Sequence, residues 1–174
     1  MAGNDAGQPG RSISLVGFMG AGKSKIGRLL ADRLELPFVD IDQAIETARG
    51  MSVAAIFAAQ GEAGFRAAER QAIADLLDGE PSVIALGGGA FVDPDSRARL
   101  NARSITVWLD PPFEILLSRL ARSTARPLAA GRSESELRAL WQDRRTSYAE
   151  AQVRIVTSDG DPQGFVDEIV ARLG

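Results

Sequence analysis

The sequence predicts a three-layer α/β/α fold around a five-stranded parallel sheet, and two patterns carry that expectation. Short β-rich runs recur along the chain, several of them nearly continuous in apolar residues, as strands covered on both faces require. Between them lie stretches with apolar residues at helical spacing. Strands alternating with helices pair in parallel through right-handed crossovers.

Each element has its own signal. Residues 1–11, "MAGNDAGQPGR", carry neither a basic start with an apolar run nor a periodic pattern, so they are expected to be a disordered tail outside the fold. Residues 12–174 then form one domain, long enough to bury a core. The β-rich runs are Ile13–Val16, Pro37–Asp40, Ser82–Leu86, Ser104–Leu109 and Val153–Thr157. Ile26, Leu29, Leu30 and Leu34 mark one face of a first helix; Phe65, Ala68, Ala72, Ile73, Leu76 and Leu77 mark another. Phe113, Leu116, Leu117 and Leu120 follow "DPP", whose prolines suit the start of a helix. The stretch from Ala121 to Glu136 breaks the rhythm: it is small, polar and arginine-bearing. Ser133 and Glu136 have the spacing of a capping box, so a helix is expected to begin there.

Absent residue types narrow the chemistry. The chain has no cysteine and no histidine, which removes disulfides, thiol nucleophiles, imidazole bases and His-ligated zinc. Carboxylate, arginine, lysine, hydroxyl and backbone groups remain, a set suited to phosphoryl transfer with a hard, oxygen-ligated cation. A net charge of −3 argues against nucleic acid as a partner, and no apolar run is long enough to span a bilayer. With no signal-peptide pattern, the expected location is the cytoplasm.

Both lysines of the chain fall within "GFMGAGKSK", whereas arginine occurs eighteen times. Gly17 to Ser24 matches G-x-x-x-x-G-K-[ST], between an apolar strand and an amphipathic helix. Glycines let successive amides turn toward phosphate oxygens, and the helix N-terminus adds positive charge. Gly20, Ala21, Gly22, Lys23 and Ser24 are therefore expected to bind a nucleotide triphosphate, with Lys23 on the β- and γ-phosphates and Ser24 on magnesium. Lys25 stands where a second hydroxyl commonly follows. It reads first as a solvated lysine on the first helical turn; the alternative is that it draws in the polyphosphate.

Further along lie "FVDID" with Asp40 and Asp42, "GEAGFR" with Arg66, "LGGGA" with Gly87, Gly88 and Gly89, "ARPL" with Arg126, and "RRTSY" with Arg144. In this order and spacing, from about Ser12 onward, they resemble shikimate kinases. The resemblance implies a nucleoside-monophosphate-kinase-like fold with a mobile lid at 121–133 and substrate-binding helices at 41–77. It implies a monomer that uses ATP and Mg²⁺ to phosphorylate the 3-hydroxyl of shikimate. It assigns Asp40 to magnesium through water, Asp42 to the acceptor hydroxyls, and Arg66, Arg144 and the three glycines to shikimate. Arg126 becomes the cation that closes over the phosphates, and Arg119 a contact of adenine.

These residues also have readings of their own. A carboxylate beside an attacking hydroxyl can orient it and accept its proton. The same acid pair could merely cap the next helix, whose pattern begins near Ala44. Two guanidinium forks select an anionic acceptor over a neutral one. Arg145 should point away from Arg144, and Trp108 and Trp141 read as packing residues. A kinase for gluconate or a nucleoside monophosphate, a GTPase-like switch, and a catalytically dead nucleotide-binding module are the rivals. The switch lacks its signatures: "DPQG" at Asp161–Gly164 comes too late, and no N-K-x-D occurs.

Overall fold

The structure is a computed structural model that describes residues 10–123 and 131–174. Five strands and seven helices follow one another among these residues. They are β1 (Ser12–Val16), α1 (Lys23–Leu34), β2 (Phe38–Asp40), α2 (Ile41–Arg49), α3 (Val53–Asp78), β3 (Val83–Ala85), α4 (Pro94–Arg103), β4 (Ser104–Leu109), α5 (Phe113–Arg122), α6 (Glu134–Tyr148), β5 (Val153–Ile155) and α7 (Pro162–Leu173). The strands form one parallel sheet in the order β2-β3-β1-β4-β5.

That order fixes where a ligand collects. From β1 the chain crosses to β2 on one side, and every later crossover steps back across the sheet in the opposite direction. Right-handed crossovers then put α1 on one face and the later crossover helices on the other. Accordingly α1 packs on α7 while α3 packs on α4. The loops after β1 and β3 leave toward opposite faces and open a crevice at the carboxyl ends of the strands.

The central strand β1 is buried along its whole length. Its two serines are reconciled with the core by hydrogen bonds. Ser14 Oγ donates to Ser104 Oγ (2.8 Å), which donates to the Leu100 carbonyl (2.8 Å), and Ser12 Oγ accepts from the Ser82 amide (3.1 Å).

The expected strands appear within a residue or two of their bounds. Ser133 and Glu136 form the reciprocal capping box at the start of α6. Two details differ. Helix α2 starts at Ile41 rather than near Ala44, because Asp40 Oδ1 accepts from the Asp42 and Gln43 amides. Arg11, assigned to the tail by sequence, donates to the Ala102 (2.8 Å) and Ser104 (3.0 Å) carbonyls at the end of α4, so the anchored chain includes it. Of the expected lid, 124–130, with Arg126, lie outside the described residues. No described helix is long and apolar enough to cross a membrane.

Gly27 sets the distance between α1 and the sheet. A Cβ there would lie 2.6 Å from the Phe38 ring and 3.1 Å from Leu15 Cδ1. Gly27→Ala gains about 1 kcal/mol of helix propensity but overpacks at roughly 1–3 kcal/mol. Its Tm should fall by several degrees. A thermal melt checks this, and an unchanged or higher Tm would mean that the half-buried Phe38 ring swings aside.

Candidate active site

The turn from β1 into α1 is built to receive an anion. Gly20 and Gly22 have φ of 81° and 92°, where side chains are strained, and a Cβ on Gly17 would lie 2.7 Å from the Leu109 carbonyl. Gly22 is the N-cap of α1, so no side chain caps that helix, and its first turn holds no acid. Helices α2, α3, α4, α6 and α7 each have an Asp or Ser side chain accepting from their own first-turn amides. The positive end of α1 thus carries no side-chain cap among the described residues, which suits it to an external anion. Lys23 Nζ is folded into the loop, donating to the Gly17 (2.7 Å) and Phe18 (3.0 Å) carbonyls.

Asp40 combines the two roles that sequence left open. One oxygen caps α2; the other accepts from Ser24 Oγ at 3.1 Å. Ser24 and Asp40 therefore present two hard oxygen donors side by side, chemistry that fits Mg²⁺. Among the described residues no three acids gather into a cage, and magnesium usually takes one or two protein oxygens, with phosphate and water completing its shell.

Asp42 sits in the first turn of α2, with much of its surface open to solvent. Desolvation of its carboxyl by the crevice still raises its pKa above the usual aspartate value, and the Asp40 charge adds to this; Lys23 and Arg66 pull the other way. The carboxylate thus lies within the electrostatic reach of both the loop lysine and the arginine of α3.

Arg66 owes its aim to a break in its helix. Gly61 has φ 69° and ψ −173°, a conformation reserved for glycine, and α3 restarts beyond it. "GEAGFR" therefore opens the second helical segment of α3. Arg66 Nη1 donates to Glu69 Oε1 at 2.7 Å, and its guanidinium lies 5.3 Å from the centre of the Phe65 ring.

The glycines after β3 touch all of these parts. A Cβ on Gly87 would lie 3.5 Å from Asp42 Oδ1. On Gly88 it would lie 2.9 Å from Arg144 Nη1 and 3.7 Å from the Gly17 carbonyl. On Gly89 it would lie 2.8 Å from Arg66 Cζ. Sequence expected three glycines for close approach of a ligand; here they admit two guanidinium groups against the backbone. The loop's carbonyls are all taken, by the Ala90 and Val92 amides and by Tyr148 Oη. Arg144 also lies over the Phe18 ring of the first loop, 5.7 Å from its centre.

Arg119 stands on the other side of the first loop. It donates to the Gly20 (2.8 Å) and Ser158 (3.1 Å) carbonyls and pairs with Asp159 (3.0 Å). Together with Gly20, Gly22, Lys25, Ser158 and Phe165 it lines a cavity of about 290 Å³. Lys25 is exposed and makes no ion pair among the described residues, as a solvated lysine would. A wider, open depression of about 720 Å³ reaches Asp40 and Asp42 from the Arg28 side.

Lys23, Ser24, Asp40, Asp42, Arg66, Gly87–Gly89 and Arg144 thus converge on one crevice, and Arg119 and Lys25 border the cavity beside it. Arg145 turns away, as expected of its neighbouring position. It pairs with buried Asp110 and stacks on Trp108 (4.9 Å) and Trp141 (4.6 Å), both packing residues. Three participants escaped the sequence reading. Glu69, 1% exposed, has its pKa raised by burial against the pull of Arg66, and its second oxygen has no hydrogen-bond partner among the described residues. Tyr148 joins α6 to Gly88. The turn at Ser158–Gly160 walls the 290 Å³ cavity, and its Ser-Asp-Gly composition was the available signal.

Comparison with known proteins places this geometry. The family model described as shikimate kinase matches residues 19–174. The shikimate kinase of Caulobacter vibrioides is 45% identical over 94% of this chain and 82% of its own length. That of Paramagnetospirillum magneticum is 46% identical over 97% of this chain and 87% of its own. Among solved structures, shikimate kinase from Acinetobacter baumannii in complex with shikimate is 36% identical. It superposes with a TM-score of 0.87 over 94% of this chain and 92% of that one. A gluconokinase from Sinorhizobium meliloti, 18% identical with a TM-score of 0.56 over 94% of this chain and 91% of that one, shares the fold alone. With an uncapped glycine turn, a paired acid and two arginines gathered on one glycine loop, the chain belongs to the shikimate kinase family.

Proposed function

We propose that this protein transfers the γ-phosphoryl group of ATP to the 3-hydroxyl of shikimate, giving shikimate 3-phosphate and ADP. One observation carries the reading. A Cβ on each of the three glycines after β3 would meet Asp42, Arg144 with the carbonyl of Gly17, or Arg66, so an acceptor lying on this loop faces the nucleotide loop.

In this mechanism the amides of the first turn of α1 and Lys23 hold the β- and γ-phosphates. Ser24, and Asp40 through water, would hold Mg²⁺, which when bound neutralises charge on those phosphates. Arg66 and Arg144 grip the acceptor carboxylate as bidentate forks, and the glycine loop lies under its ring. Asp42 accepts a hydrogen bond from the 3-hydroxyl and takes its proton as the oxygen–phosphorus bond forms; the bond from phosphorus to the β-phosphate oxygen breaks, and ADP leaves. Glu69 holds Arg66 from behind. The resemblance gives Arg126 the closing cation's role, and the cavity beside Arg119 would take the base. Positioning and preorganised charge supply most of the acceleration, because the transfer needs little covalent help. The same reading takes the protein as a cytoplasmic monomer, which light scattering on the purified chain would check.

³¹P NMR of the protein with MgATP and shikimate should show a new phosphomonoester. Gluconate and nucleoside monophosphates should be poor acceptors in a coupled ADP assay, and equal rates on either would overturn the assignment. Lys23→Ala should reduce turnover to near background with an unchanged fold by circular dichroism. Wild-type activity in that variant would remove the lysine from the mechanism.

Asp42 gives a test of sign. Its folded pKa is raised, so its ionised form is less favourable folded than unfolded; that deficit is full above the folded pKa and gone below the unfolded one. Asp42→Asn should therefore abolish activity yet raise Tm at pH 8, with the gain closing as pH falls to about 4. A Tm at pH 8 equal to or below that of the wild type would mean that burial does not strain this carboxylate.

A further inference from the structure

We propose that Tyr148 is a positioning residue of the acceptor pocket: its hydroxyl ties Arg144 to the Gly88 carbonyl and so fixes the guanidinium that binds the acceptor. The proposal rests on the reading of Arg144 given above. Tyr148 is 1% exposed, and its Oη donates to the Gly88 carbonyl at 2.5 Å across sixty residues of sequence. Arg144 lies one helical turn earlier on α6, and its Nη1 and the Tyr148 Oη lie against the same loop position, 2.9 Å and 3.6 Å from where a Cβ on Gly88 would stand. A phenol has one proton to give and lone pairs to receive with, so Oη can accept from that guanidinium while it donates to the carbonyl. Burial pushes the Tyr148 phenol up to about 12. The proton therefore stays in place across the range in which a kinase works.

Two consequences follow for the pocket. Arg144 is held between Tyr148, Gly88 and the Phe18 ring rather than swinging on its own stem. The trans peptide also sets the Gly89 amide opposite to the captured Gly88 carbonyl, on the residue that lies against Arg66. One hydroxyl thus acts on the acceptor pocket through Arg144. The ring itself is anchored, since it packs on Trp108 at 6.1 Å and Trp108 carries Arg145 and Arg154, each 4.9 Å from its centre.

Tyr148→Phe keeps the ring and removes only the hydroxyl. Steady-state kinetics of the full chain, at 15 °C and with Tm recorded, should show the KM for shikimate raised about ten-fold, as loss of a hydrogen bond to a charged group implies. The KM for MgATP should move by less than about two-fold. In an Arg144→Ala background, itself raised in shikimate KM, adding Tyr148→Phe should change that KM by less than about two-fold, because the route through Arg144 is gone. An unchanged shikimate KM in Tyr148→Phe, an equal rise for both substrates, or a full further ten-fold in the Arg144→Ala background would each overturn the proposal while leaving the acceptor site standing. If Arg144→Ala leaves the shikimate KM unchanged, the acceptor reading falls as well, and this proposal with it.

Discussion

The absence of side chains on three consecutive residues, Gly87 to Gly89, is the constraint on which the crevice depends. A methyl group at the second or third of them would occupy space held by the guanidinium of Arg144 or Arg66. The arginine it meets would have to withdraw, and the acceptor would lose one of its two forks. The loop follows β3, which runs between β1 and β2. It therefore sits beside the loop that follows β1 and the acid pair that follows β2. Sheet order, rather than any single contact, brings phosphate cradle, acid and arginines to one edge.

Charges in the crevice are arranged so that few of them relax each other fully. Asp42 and Glu69 are both pushed upward by burial, and each is only partly relieved by Arg66. A buried carboxylate that is only partly paired costs stability, and sites that hold such strain do so because the rest of the fold is rigid. Here the rigidity comes from structural ion pairs outside the crevice. Asp110, at the end of β4, binds Arg145 and Arg154 and so fastens α6 to the sheet. Arg145 braces the helix on one side; Arg144, on another, is left to face the acceptor.

Local signals made the frame legible. The glycine turn, the apolar strands, the capping box at Ser133 and the "DPP" start of α5 are each decided by neighbouring residues, and each appears in place. Asp40 was legible as both cap and metal-side acid because a strand-end carboxylate one residue before a helix can do either; the coordinates give its two oxygens one task apiece. Glu69 was not legible. Three residues beyond Arg66, it has the spacing of an ordinary surface ion pair, and only the loop after β3, eighteen residues later, buries it. Tyr148 was hidden for the same reason, since its partner Gly88 lies sixty residues away. Contacts between the carboxyl ends of different strands leave no periodic trace in the chain.

The division of labour between arginine and lysine follows from what each must hold. Arg11 spans three carbonyls around the end of α4, Arg119 spans two carbonyls and a carboxylate, and Arg66 pairs with Glu69 while facing the glycine loop. All are fixed bridges between several acceptors, and a planar, pre-organised fork loses little entropy in making them. Lys23 has a different task. Its ammonium rests on the Gly17 and Phe18 carbonyls and, in the proposed reaction, exchanges them for phosphate oxygens. A compact charge on a flexible stem can turn from one set to the other without breaking a planar geometry, which an arginine at this position would have to do. A chain that builds its braces from arginine therefore still needs lysine where the cation must change partners.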